Sequence, residues 1–274
     1  METIGFLGGD ARMACLARLL AEDGYEVRSW CLAGAPNEGA PSEAMAAERV
    51  VLPVPLQKDG KLNGAGLPLE ELWQRLSPSQ RIYAGAVGKT AREQAERLGL
   101  RVTDYYTDEA LTVKNAAITA EGAIQLTMEK LRAALRGMPC LVLGFGRIGK
   151  LLSRGLAGMG AEVTVSARRN EALAWIECLG YHALPMERLE GELGQFRAIF
   201  NTVPHMLLAA PLLARLRRDC LLMELASLPG IDEAGAAAQR LPYIRANGLP
   251  GRCAPETAAL ALRETLYRIW EEES

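Results

Sequence analysis

Gly144, Gly146 and Gly149 stand in the spacing G-x-G-x-x-G inside Cys140-Leu-Val-Leu-Gly-Phe-Gly-Arg-Ile-Gly-Lys150. That spacing suits the holding of a pyrophosphate. The first glycine permits a tight turn, the second lets backbone come close to the phosphates, and the third lets helix pack on strand. Phe145, Arg147 and Ile148 fill the positions between and belong to the same cofactor turn. Further on, Val163-Thr-Val-Ser-Ala-Arg-Arg169 puts Ser166, Arg168 and Arg169 where a site for NAD usually has Asp or Glu. A carboxylate would repel a 2′-phosphate, whereas guanidinium forks grip it through paired, charge-assisted hydrogen bonds. NADP is the cofactor expected. The plain alternative is two solvated arginines opening a helix.

The elements around these residues fit that use. Cys140–Leu143 reads as a buried strand, Leu151, Leu152, Leu156 and Met159 as the apolar side of a helix, and Glu162–Ser166 as a second strand. A helix over Asn170–Leu179 and a short connection over Leu184–Leu193 follow. Three more strands are expected over Ala198–Val203, Leu221–Leu225 and Tyr243–Ala246, each running into a polar or Gly/Pro turn. In a parallel sheet such turns share one edge, so Asn201, Thr202, Val203, Pro204, Ala226 and Ser227 are assigned to the nicotinamide side of the site. Taken singly, each turn is also ordinary loop punctuation.

The N-terminal part makes a second α/β unit, with a strand at Ile4–Leu7, a turn at Gly8-Gly9-Asp10, a helix over Ala11–Glu22 and a strand over Glu26–Cys31. Its glycines miss the fingerprint spacing, which predicts a Rossmann-like domain without a nucleotide. Asp10 is placed to cap the helix. Arg12 lies in the first turn, unfavourable to the helix dipole, and is read either as a partner for an anionic ligand or as a surface residue. Ala33–Glu48 and Gln57–Leu67 read as loops, and Asp108–Thr119 as an irregular connector before a helix over Glu121–Leu135. Gly85-Ala-Val-Gly-Lys-Thr90 is not a phosphate loop, because the first glycine of that motif would fall at Tyr83. A C-terminal helix from Pro255 to about Trp270 should bury Leu260, Leu262, Leu266 and Ile269.

The 274 residues allow two cores, and a net charge of −2 gives no reason to expect nucleic acid. No apolar run approaches a membrane span of about 20 residues. Six scattered cysteines without a C-x-x-C pair suit reduced thiols, two histidines make a histidine metal site improbable, and a cytoplasmic location is expected. The fold class is α/β: two Rossmann-like domains, an N-terminal substrate domain and a C-terminal NADP-binding domain, linked by long helices with a cleft between. The boundaries are 1–118, a linking helix 119–137, 138–252, and a returning helix 253–274.

Read as a whole, the sequence resembles the family of dipicolinate synthase A subunits. The likeness is carried by Gly8-Gly-Asp-Ala-Arg12, Asn115 with Thr119-Ala-Glu-Gly122, the glycine fingerprint, Asn201-Thr-Val-Pro204, Leu225-Ala-Ser227 with Pro229-Gly230 and Asp232, and Gly248-Leu-Pro-Gly251 with Ala254-Pro255 and Thr257. It departs from the family pattern at Leu228, where an arginine is usual, at Glu256 in place of a lysine, at His205 in place of a small polar residue, and in having one glycine after Pro229. The resemblance implies oxidation of dihydrodipicolinate to dipicolinate with hydride passing to NADP, in the mother cell during sporulation. The implied partners are further copies of the chain and a flavoprotein-like B subunit. Asp10, Arg12, Lys114, Asn115 and Thr119 become candidates for the small dicarboxylate substrate, with Arg12 first and Lys114 weaker. Glu121 and Ser227 become candidates for catalysis; His205, right after the presumed nicotinamide strand, is read either as a base particular to this chain or as a solvated loop histidine. Glu121 is either a partly buried base or an acidic first-turn residue favourable to the dipole. Two other readings stay open: another NADP dehydrogenase of a small keto, hydroxy or amino acid, and an NADP-binding partner of a flavoprotein with no chemistry of its own.

Overall fold

The computed structural model describes residues 2–273. The chain divides into two compact units, one running to Asn115 and resuming at Pro250, the other covering Ala116–Leu249.

The first unit has strands β1 (Thr3–Leu7), β2 (Glu26–Trp30), β3 (Arg49–Val51), β4 (Gln57–Lys58), β5 (Lys61–Leu62), β6 (Arg81–Ala84) and β7 (Val102–Asp104). Its helices are α1 (Ala11–Glu22), α2 (Pro41–Met45), α3 (Leu69–Arg75), α4 (Lys89–Arg97) and the start of α5 (Glu109–Leu131). Five strands form a parallel sheet in the order β2-β1-β3-β6-β7, and β4 and β5 pair as a small hairpin. Alternation along β1 sorts its side chains to two faces. Ile4 and Phe6 join the core under α1 and the C-terminal helix, while Leu7 joins Val50, Leu52 and Trp73 on the other side.

The second unit holds β8 (Pro139–Leu143), β9 (Glu162–Ala167), β10 (His182–Pro185), β11 (Ala198–Asn201), β12 (Leu221–Glu224) and β13 (Tyr243–Arg245). They form one parallel sheet in the order β10-β9-β8-β11-β12-β13. Its helices are α6 (Arg147–Gly158), α7 (Asn170–Cys178), α8 (Leu189–Glu192), α9 (Ala210–Leu213) and α10 (Glu233–Ala238). Beyond them come α11 (Leu249–Cys253) and α12 (Pro255–Glu272). Leu141, Val142 and Leu143 are fully buried, as a central strand covered on both faces requires. Helix α6 buries Gly149, Leu152, Ser153 and Leu156, one stripe at helical spacing. The order of strands reverses between β8 and β11, which sets a crevice at their carboxyl ends.

Several local expectations are corrected. The stretch Asp108–Thr119 is helical, because α5 starts at Glu109 with Asp108 Oδ1 accepting from the Leu111 N–H at 2.7 Å. That helix stops at Leu131, where Arg132 turns to φ 48°, short of the expected Leu135. The Gln57–Leu67 loop contains the β4–β5 hairpin, turned through Asp59 and Gly60 at φ 53° and 76°. Helix α2 lies inside the other presumed loop. The connection after α7 overlaps edge strand β10, and the Gly248–Gly251 turn enters α11. Leu260 is 46% exposed; α12 buries Leu262, Leu266 and Trp270.

Candidate functional site

The turn after β8 is built as its glycines demand. Gly144 has φ +96° and its N–H donates to the Ser166 carbonyl at 2.9 Å. A methyl at Gly149 would lie 2.2 Å from the Gly144 carbonyl oxygen, so helix and strand meet there with no room to spare. At Gly146 a methyl would meet nothing within 4 Å. Gly146 is also the N-cap of α6, and no side chain satisfies that helix end, whose first turn holds no acidic residue. A helix end without a side-chain cap, with its positive dipole end and open space before it, suits a phosphate.

The turn opens onto a cavity of about 720 Å³. Of the residues named from the sequence, it gathers Gly144, Phe145, Gly146, Ser166, Arg168, Arg169, Thr202, Val203, Pro204 and His205. Arg168 and Arg169 are exposed beyond β9, and Arg169 lies 3.8 Å from Glu171. Ser166 is buried, with its hydroxyl 3.6 Å from the Met186 sulfur. Thr202 donates its hydroxyl to the Leu143 carbonyl at 2.8 Å, tying β11 to the end of β8. His205 is exposed. Arg147, Ile148, Gly149, Asn201, Ala226 and Ser227 are not among the lining residues. Cys140 precedes the turn, and burial pushes its thiol up to about 12.

The cavity also takes Met186, Glu187, Leu189 and Glu190, which the sequence reading missed along with β10. Glu190 is held by Arg215 at 2.6 Å. Glu224 was missed as well. It is fully buried and accepts from the N–H groups of Ala226, Gly230 and Ile231 and from Asn201 Nδ2, at 2.7–3.0 Å. Asn201 is therefore turned inward: Nδ2 also donates to the Val203 carbonyl at 2.9 Å, and Oδ1 accepts from the Val203 N–H at 3.1 Å. The signal for Glu224 was a lone acid at the end of an apolar strand.

The dicarboxylate candidates are placed as follows. Asp10 caps α1, with Oδ1 accepting from the Arg12 N–H at 3.1 Å. Arg12 is 4% exposed, which corrects the surface reading. Its fork holds Asp10 at 2.9–3.1 Å, its Nη2 donates to the Val54 carbonyl at 2.7 Å, and its Nη1 reaches Asn115 Oδ1 at 3.4 Å. Asn115 donates to the Tyr106 hydroxyl at 2.9 Å. Lys114 pairs with Glu264. Thr119 is buried and Glu121 is exposed. Glu121 sits in the middle of α5, so neither a partly buried carboxyl nor a first-turn position describes it.

All six cysteines are free thiols, and the described residues contain no cluster of potential metal ligands. No helix among them is long and apolar enough to cross a membrane.

A parallel sheet with its glycine turn at the switch point, preceded by a second parallel-sheet unit, is the architecture of two-domain dehydrogenases. An L-alanine dehydrogenase structure matches at TM-score 0.67 and 16% identity, over 96% of this chain and 88% of that one. The likeness to one family is more particular. Residues 3–106 match the family model for the N-terminal domain of the dipicolinate synthase A subunit. The dipicolinate synthase A subunit of Bacillus subtilis is 29% identical over 192 residues, 70% of this chain and 65% of that protein. The crystal structure of the Bacillus subtilis protein matches at TM-score 0.83 and 25% identity, over 99% of this chain and 96% of that one. That of the Bacillus halodurans protein matches at 0.85 and 24%, over 98% and 97%. The chain resembles the dipicolinate synthase A subunit in sequence and in fold.

Proposed function

We propose that the chain is an NADP-linked oxidoreductase that oxidises dihydrodipicolinate to dipicolinate as the A subunit of a dipicolinate synthase, in the cytoplasm, beside a flavoprotein-like B subunit. The observation that carries the cofactor assignment is the open space at Gly146 before an uncapped helix end. The likeness to the dipicolinate synthase family carries the substrate.

Bound in the cavity, the cofactor's nicotinamide would accept a hydride from the dihydropyridine ring, which also loses one proton as it becomes aromatic. The chain's own residues prepare that transfer. The N–H groups at the start of α6 hold the pyrophosphate. Arg168, which has no ion pair among the described residues, and Arg169 grip the 2′-phosphate. The wall formed by Thr202 and Val203 sets the face the nicotinamide presents. Alignment of the two reactants can supply ~7–11 kcal/mol of the barrier, and one proton remains to be accepted. His205, exposed on the cavity wall, is the candidate proton acceptor.

One observation favours a second reading, a dehydrogenase of another small keto, hydroxy or amino acid. The Arg12 fork is spent on Asp10 and Val54, which takes away the first candidate for a substrate carboxylate. The test is to supply fresh dihydrodipicolinate and NADP to the chain alone and with a B subunit, following NADPH and dipicolinate. Turnover by the chain alone supports the proposal. Turnover only when the B subunit is present assigns the chemistry to the pair, and none in either case favours the second reading.

A further inference from the structure

Among the described residues of the second unit, Glu224 has an uncommon environment for a carboxylate. It is fully buried, at the end of β12 beside β11, and no cation lies against it; four N–H donors satisfy it instead. Oε1 accepts from the Ala226 N–H at 3.0 Å and Asn201 Nδ2 at 2.8 Å, while Oε2 accepts from the Gly230 and Ile231 N–H groups at 2.7 and 3.0 Å. The two oxygens thus pin both ends of a hoop whose crown, Ser227, Leu228 and Pro229, is exposed. Through Asn201 the same carboxylate reaches Val203, since that amide also donates to the Val203 carbonyl and accepts its N–H. Val203 and His205 line the cavity. Packing repeats the linkage: a methyl on Gly230 would lie 2.3 Å from Asn201 Nδ2 and 2.5 Å from the His205 carbonyl oxygen.

We propose that Glu224 is a positioning residue that locks the Ser227 hoop to the Val203–His205 wall, and so sets the nicotinamide end of the cavity while leaving the phosphate end independent. This rests on the dinucleotide reading above. The physical ground is the inventory of donors: a carboxylate offers only acceptors to four N–H groups, whereas a glutamine would turn an NH₂ toward two of them. A buried donor deprived of its acceptor carries a desolvation penalty, which movement of the hoop toward solvent relieves. The phosphate end is held by a separate contact, the Gly144 N–H to the Ser166 carbonyl, and should not respond.

The test compares the whole cofactor with a fragment of it. For Glu224→Gln, NADPH affinity measured by calorimetry should fall at least about tenfold, while adenosine 2′,5′-bisphosphate, which lacks the nicotinamide half, should bind within about twofold of the parent chain. Asn201→Ala cuts the link to the wall and keeps the three backbone donors on Glu224, so it serves if the first variant does not fold; the same split is expected. Equal weakening of both ligands, or of neither, overturns the proposal. If the parent chain binds no NADPH, the dinucleotide reading fails by itself. Amide exchange at Ala226, Gly230 and Ile231 then decides: release in Glu224→Gln with β8 still protected supports the lock, and unchanged protection overturns it.

Discussion

At the end of β1 the chain turns through Gly8-Gly9-Asp10 into α1, and at the end of β8 it turns through Gly144-Phe145-Gly146 into α6. Both turns lie where the strand order reverses in their own sheet. In the first unit the crevice is filled by the chain itself. The Asn63 carbonyl accepts the Gly9 N–H at 2.8 Å, and a methyl on Gly64 would lie 2.3 Å from the Gly9 nitrogen. Asp10 takes the Arg12 N–H, and the Arg12 fork neutralises Asp10. In the second unit no side chain caps α6, and the space beside Gly146 is open. The same strand–turn–helix geometry thus serves once as a plugged structural corner and once as a binding site. What separates them is the segment that carries β4 and β5, together with the Asp10 cap that the first turn has and the second lacks.

The largest expected effects would break this contrast. Gly64→Ala in the first unit and Gly149→Ala in the second each press a methyl on rigid backbone, at 2.3 Å and 2.2 Å. Gly149→Ala should lower stability by about 1–3 kcal/mol in urea unfolding, an overpacking cost, and Gly64→Ala by roughly 1–2 kcal/mol more, the added left-handed strain at φ +85°. Gly146→Ala should leave stability unchanged and weaken NADPH about tenfold to a hundredfold, because its methyl stands where the pyrophosphate must approach. If Gly146→Ala bound NADPH as the parent does, the two turns would differ in shape alone.

The same contrast marks what the sequence could disclose. The second unit was legible because spacing has a chemical reason there: strand, three glycines, helix and two arginines follow from a phosphate's needs. The first unit's plug was less so. Asp59-Gly60 was a usable hairpin signal, but β4 and β5 are two residues each, too short for alternation to register. Strand β10 was hidden because it is an edge strand ending in Pro185, where a missing N–H is tolerated. The start of α5 was hidden by Thr112 and Val113, residues of modest helix propensity, although Asp108 was a recognisable cap. Glu224 showed only as a lone acid ending an apolar strand; its role was hidden because its donors come from positions 201, 226, 230 and 231, a meeting that the fold makes.

A smaller effect sharpens the cofactor side of the comparison. Arg168→Ala should weaken NADP by ~1.5–3 kcal/mol, the worth of a hydrogen bond to a charged group, and leave NAD nearly untouched. Titration calorimetry with both nucleotides reads the difference. Equal losses would place the ribose elsewhere, and the acidic Glu187 on the same cavity would become the residue to substitute next.

The smallest effect concerns thiols, which sample both units without touching the fold. Burial pushes Cys140 and Cys220 up to about 12, because desolvation disfavours the thiolate. The sign is direct: below that pH each stays a neutral thiol, and only the thiolate is alkylated. Cys31 in the first unit and Cys178 in the second are exposed. At pH 8, iodoacetamide should therefore mark Cys31 and Cys178 within minutes and spare Cys140 and Cys220 in the folded chain, as peptide mass spectrometry would show. NADPH affinity should survive the labelling, because neither exposed thiol lines the cavity. Rapid labelling of Cys140 would mean that β8 opens in solution, and with it the turn on which the contrast between the units depends.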